Sequence, residues 1–240
     1  MPFILNGIGI PKLAGLVGSG TFGANGLQIR TAPLLHIQGY AEPDHVRADI
    51  REVADKMAAL AQVLCEPAAW YKKIRIRRHS RQTLTLENNV VFHCREFEGA
   101  LTRCGSVVAF VLTVGSAIDR KVEALQQAGD VLEALFLETA GWLAIEGATK
   151  TFVAQLRGKV RERGYGLTRR LGPGYADWAL EEQRTLFSLF DGAPLEVRLL
   201  ESCAMVPKMS RSGVYGLRPI LRAAGDVAAP AAGLSCAKSG

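Results

Sequence analysis

The sequence predicts an α+β protein, a twisted antiparallel sheet flanked by helices. Three stretches point there. Val46, Ile50, Val53, Met57, Leu60 and Leu64 recur in steps of three and four, which gathers them on one helical face. Lys73, Ile74, Arg75, Ile76 and Arg77 alternate charge with apolar bulk, the pattern of a strand with one basic face. Residues 106–114, SVVAFVLTV, are almost wholly apolar, as a central strand requires. Helix and strand signals follow one another in mixed order, with antiparallel-looking alternation.

In chain order, residues 1–43 are rich in Gly and Pro and are expected to be irregular with short strands. The first 27 residues read as an N-terminal segment, and residues 28–220 as one domain. Asp44 is placed to cap the helix that carries the Met and Leu stripe. Gly115 closes the central strand. Ser116 and Asp119 then form a capping box that opens a helix over 117–127. A second helical block covers 130–163, interrupted or bent near Gly141 and Gly147 and stopped by Gly164. Asp177 can cap a short helix over LEEQRTLFSLF, and 195–200 reads as a further strand. Residues 221–240 are small and polar without periodicity and predict a disordered tail.

At 240 residues the chain can bury a sizeable core. Its 48% hydrophobic and 22% charged residues fit a globular protein. A net charge of +6 suits acidic partners or anionic ligands without choosing between them. Five cysteines, with no CxxC, argue against a disulfide framework or a structural zinc site and fit reduced thiols in the cytoplasm. The apolar start lacks a basic region and is broken by Lys12, so it is not read as a signal peptide. No run approaches the roughly 18 apolar residues of a membrane span.

Several motifs carry little. Gly18, Gly20 and Gly23 spell GxGxxG, but ANGLQIRTAP after them shows no helical stripe, and a dinucleotide site needs a helix opening there. The basic strand over 72–81 can face solvent, or steer nucleic acid or an acidic protein. Nucleic acid is disfavoured because stacking aromatics are not interleaved with it. The four histidines show no metal spacing. No GxSxG elbow is present, and no histidine follows Ser212 to complete a triad.

The densest local signal is RRLGPGYADW at 169–178. Gly172-Pro173-Gly174-Tyr175 meets the demands of a type II turn, with Pro fixing φ at the second position and Gly accepting positive φ at the third. Such a turn holds Arg170 and Tyr175 close in space. A guanidinium can fork onto a carboxylate, and an aromatic face can pack a purine or sit near a cationic centre. Glu146 lies upstream in the helical WLAIEGATK, where a carboxylate amid apolar neighbours needs a partner. These residues alone allow two readings. They form a grip for a zwitterionic ligand with an adenosyl-bearing cationic tail, or a structural Arg–Glu pair beside a rigid turn.

At these residues the chain resembles the activation domain of cobalamin-dependent methionine synthase, the module that binds S-adenosylmethionine. Arg170-Leu171-Gly172-Pro173-Gly174-Tyr175 matches that family's Arg-x-x-x-Gly-Tyr segment. LTVGSAIDRKV, LETAGWLAIEGATK, EEQRTLFSLF and ESCAMVPKMSRSGVYG surround it in the family's order, so the likeness covers 107–219. It implies the family's fold. It also implies that Arg170 holds the ligand's carboxylate, Glu146 meets its ammonium, and Pro173, Gly174 and Tyr175 line the adenosyl pocket. A loop over 207–215, ending in Tyr215, forms another wall. The chain departs from the family at Ala176-Asp177-Trp178, and at Lys208 and Arg211, where relatives carry small or apolar residues.

With no DxHxxG for cobalamin in the chain, the resemblance implies a stand-alone cytoplasmic protein of methyltransferase type. It would bind S-adenosylmethionine and support reductive methylation of cob(II)alamin on a separate corrinoid protein or methionine synthase core. An acidic flavodoxin- or ferredoxin-like electron donor would be steered by the basic strand. The alternative is a non-catalytic scaffold, or a module that senses S-adenosylmethionine while bound to a corrinoid protein.

Overall fold

The computed structural model describes residues 17–21, 28–42 and 45–220. Its spine is β5 (Ser106–Thr113), buried along its whole length. Val108, Phe110 and Leu112 point into one apolar cluster, and Val107, Ala109 and Val111 into another. This two-sided burial is why the stretch reads as a continuous apolar run.

β5 pairs with β2 (Ala68–His79) on one side and β9 (Ser210–Pro219) on the other, and β9 pairs in turn with β6 (Tyr165–Leu171). Along its outer edge β2 carries β1 (Val17–Thr21), then β3 (Thr83–Leu86), which hairpins to β4 (Val91–His93). β7 (Arg198–Leu199) and β8 (Met205–Val206) form a separate two-stranded sheet, and every pairing is antiparallel. Helices α1 (Thr31–Ile37), α2 (Ala48–Leu64), α4 (Ala117–Ala128) and α5 (Val131–Arg161) pack on the Phe110 face. Short helices α3 (Glu96–Ala100) and α6 (Gln183–Ser188) cover the other with the β3–β4 hairpin. The predicted class, an antiparallel sheet flanked by helices, is the one observed.

Details differ from the expectations. α1 falls in a region read as irregular. Its Pro33 is the third helical residue, where a backbone N–H has no intrahelical acceptor to lose. Gly18 and Gly20 lie inside β1, so no helix opens there. Arg47 precedes α2, while Asp44 lies outside the described residues. The capping box is not made. The Ser116 hydroxyl accepts from Arg120, and the Asp119 carboxylate accepts from the Lys208 amide.

α5 runs unbroken through Gly141 and Gly147. Gly141 instead allows close packing, since a Cβ there would come within 3.0 Å of Met209 and 3.1 Å of Ile118. Gly164 does stop the helix, with φ at +78°. Of residues 195–200, only Arg198–Leu199 is strand. Residues 207–215 are not a loop, because Ser210 onward is β9. Most of the N-terminal segment, and the tail with Cys236, lie outside the described residues. Cys65, Cys94, Cys104 and Cys203 are buried free thiols, and burial pushes Cys65 up to about 12. No described helix is long and apolar enough to cross a membrane.

Candidate functional site

The turn after β6 has the predicted geometry. Gly174 sits at φ +82°, and the Tyr175 amide donates to the Gly172 carbonyl at 3.2 Å. Gly174 N–H then donates to Trp178 O at 2.8 Å, closing the segment on itself. Trp178 anchors it. Its ring is buried edge-on between Phe92 and Phe97, and its indole N–H donates to Glu182 at 2.7 Å. Glu182 also accepts from the His93 backbone amide at 2.9 Å, tying the segment to β4. Asp177 does not cap a helix. It accepts from the Arg95 amide at 3.0 Å and from the Cys94 thiol at 3.0 Å.

Arg170 is aimed by an irregularity in the β6–β9 ladder. Leu167 pairs with Leu217 but Arg170 with Tyr215, so β6 carries one extra residue between them. Such a bulge re-aims the side chains beyond it. Thr168 supports it, its hydroxyl accepting the Gly216 amide at 2.8 Å. The Arg170 guanidinium donates to the Ser212 carbonyl at 3.0 Å and lies 4.4 Å from the centre of the Tyr175 ring, a cation–π arrangement. The turn therefore does bring Arg170 and Tyr175 together.

Glu146 projects from α5 close enough for Arg170's charge to act on it, but it stands behind Arg211 and is not among the residues that line the cavity, and it already has partners. Arg211 donates to it at 2.9 Å, and Lys150 lies at 3.8 Å. The Arg211 hydrogen bond holds the Glu146 carboxyl below its ordinary range, against the opposing effect of burial. Lys208 pairs with Glu138 at 2.7 Å, which raises the pKa of its ammonium. Tyr215 is placed differently. Its ring is buried and stacked on Phe110 at 5.2 Å, in the core under α5 rather than on the cavity wall.

These elements enclose a cavity of about 390 Å³. Trp142 and Ile145 from α5 form one side. Arg170, Pro173, Gly174, Tyr175 and Leu180 form a second, and the 203–205 and 208–212 stretches a third, with Gln183 also lining it. Trp142, Tyr175 and Leu180 remain largely exposed. Sequence reasoning missed Trp142 and Gln183 as wall residues. Trp142 sits inside the quoted LETAGWLAIEGATK, and an aromatic on the solvent face of an otherwise buried helix was the available signal. Arg211 was noticed only as a departure from a pattern, not as the partner of Glu146.

No protein-family model matches the chain, and no curated protein matches it by sequence. Among solved structures, the crystal structure of the MetH reactivation domain bound to AdoHcy is similar, with a TM-score of 0.63 at 15% identity. The match covers 86% of this chain and 80% of that one. The fold is that of the MetH reactivation domain. At this identity the likeness speaks for architecture alone.

Proposed function

We propose that this protein binds S-adenosylmethionine in the cavity beside Arg170 and supports reductive methylation of cob(II)alamin carried by a separate corrinoid protein. The observation that carries the reading is the Arg170–Tyr175 pair on the wall of a cavity of about 390 Å³. It occurs on the fold of the MetH reactivation domain, which was crystallised with AdoHcy, the demethylated form of S-adenosylmethionine. The volume lies within the usual range for small-molecule sites.

Among the described residues Arg170 has one hydrogen-bond acceptor, the Ser212 carbonyl, which leaves the rest of its fork for a carboxylate. Glu146, just outside the cavity lining, reaches the ligand's ammonium only by giving up part of its pairing with Arg211. Tyr175, Leu180 and Trp142 supply flat apolar surface for the adenosyl group. The methyl donor and the partner's corrin supply the transfer chemistry. This chain's part is positional, holding the donor so that its methyl faces outward, and placement of that kind is worth several kcal/mol. The basic face of β2, with Lys73 and Arg75, fits an acidic electron-donating protein. Reversing both to Glu should flatten the salt dependence of reactivation, and an unchanged salt dependence removes that partner from the proposal.

The test is calorimetric titration of S-adenosylmethionine into the wild type and Arg170→Ala. Loss of the charge-assisted fork should weaken binding about ten- to a hundredfold, roughly 1.5–3 kcal/mol. A wild type that does not bind defeats the reading. The non-catalytic scaffold or sensor remains the second reading, favoured by one observation. Glu146 and Glu138 are both already paired, by Arg211 and Lys208. Ligand binding without methyl transfer to a corrinoid acceptor under reducing conditions would select it.

A further inference from the structure

We infer that Gln183 reads the adenosyl end of the ligand, donating a hydrogen bond from its side-chain amide nitrogen to an uncharged acceptor there. This rests on the adenosyl reading of the cavity. Gln183 opens α6 and is only 2% exposed, yet it lines the cavity. Its Oε1 accepts from the Ser212 hydroxyl at 2.9 Å. Among the described residues no protein group accepts from its Nε2. No buried side-chain nitrogen or oxygen among the described residues lacks a partner, so Nε2 is not sealed off but open to the cavity, where a ligand acceptor can replace water.

The placement of charge says which end of the ligand it meets. Arg170 shares a sheet face with its register partner Tyr215, the face packed under α5, and Arg211 reaches Glu146 on that helix. Gln183 lies on the far side, bonded to Ser212 and next to the Trp178 and Leu186 layer. Between the two sides run Gly172 and Gly213. A Cβ on Gly213 would stand 2.3 Å from the Leu171 carbonyl oxygen, and one on Gly172 would stand 3.1 Å from the Ser212 carbonyl oxygen. The two glycines pack backbone on backbone there, with no side chain between them. A ligand whose charged head is held at Arg170 and Glu146 therefore offers its neutral end, with purine nitrogens and ribose hydroxyls, to the neutral amide. Sites built around such a bond reject analogues that lack the matching group.

The test uses AdoHcy and 5′-deoxy-5′-(methylthio)adenosine, which keeps the adenosyl end and lacks the amino-acid head. Both are titrated into the wild type, Gln183→Leu and Gln183→Glu. Gln183→Glu retains the acceptor for Ser212 and nearly the same volume, so it separates loss of the donor from loss of packing. Thermal unfolding of each ligand-free variant confirms folding. Both variants should bind both ligands about three- to tenfold more weakly. Undiminished affinity for the headless ligand in the folded variants overturns the inference, whether or not AdoHcy binding falls. A wild type that binds neither ligand overturns the adenosyl reading itself, together with this inference.

Discussion

The two halves of β9 share one ladder and face different surroundings. Val214, Tyr215 and Leu217 are buried, with Tyr215 stacked on Phe110 and Leu217 in the same cluster. Ser210, Arg211 and Ser212 send their side chains to Thr113, Glu146 and Gln183, around the cavity. The pairing with β5 continues without a shift from Ser106 opposite Leu217 to Thr113 opposite Ser210. The site's polar wall is thus the continuation of a strand pair buried in the core. Its backbone is fixed by the core, and only its side chains are committed to the cavity, which is how a binding site is preorganised.

Gly213 joins the halves, and changing it gives the largest expected effect. Its φ is +146°, and a Cβ would stand 2.3 Å from a backbone oxygen that cannot rotate away. Gly213→Ala should cost about 3 kcal/mol of unfolding free energy in urea, from overpacking and backbone strain together. A cost below about 1 kcal/mol would mean that β6 and β9 separate easily, and the contrast between the halves would fail. Arg170→Ala should show the opposite profile. It should lose ligand while its unfolding free energy stays within about 1 kcal/mol of the wild type.

The same contrast explains what could be read from the sequence. The core announced itself through periodicity in β5 and α2 but not in β9, whose residues 207–215 predict a loop. The β5 run, the α2 stripe and the Gly-Pro-Gly turn are local patterns with local physical causes. β6 did not, because its burial is only partial and its bulge breaks the alternation. α1 was hidden by Pro33, which terminates helices except in their first turn. In the site, Arg170 and Tyr175 were legible because one rigid turn holds both. Glu146 was legible as a carboxylate that needs a partner, but the partner, Arg211, lies 65 residues away along the chain. Gln183 gave no signal, since it becomes a cavity residue only when α6 docks beside Ser212. Tyr215 lies on the same sheet face as Arg170 and Arg211, but four residues along β9 from Arg211, where its ring stacks on Phe110 under α5 instead of reaching the cavity.

The smallest expected effect tests whether the site half is dispensable for folding. Arg211→Met keeps much of the side chain's apolar stem and removes the charge that holds Glu146 below its ordinary 4.5. A carboxyl whose pKa is lowered in the folded state stabilises the fold above its unfolded pKa. That stabilisation is lost as the pH falls through the lowered value. The Glu146 side chain is 46% exposed, so solvent screening limits the pair to about 1 kcal/mol or less. Urea unfolding at neutral pH should therefore show the variant slightly less stable than the wild type, and the gap should close in acid as Glu146 is protonated. A gap that persists unchanged in acid would show that Arg211 stabilises through its packing rather than through Glu146. A neutral-pH cost near that of Gly213→Ala would show that the cavity wall is as necessary to the fold as the core half of β9.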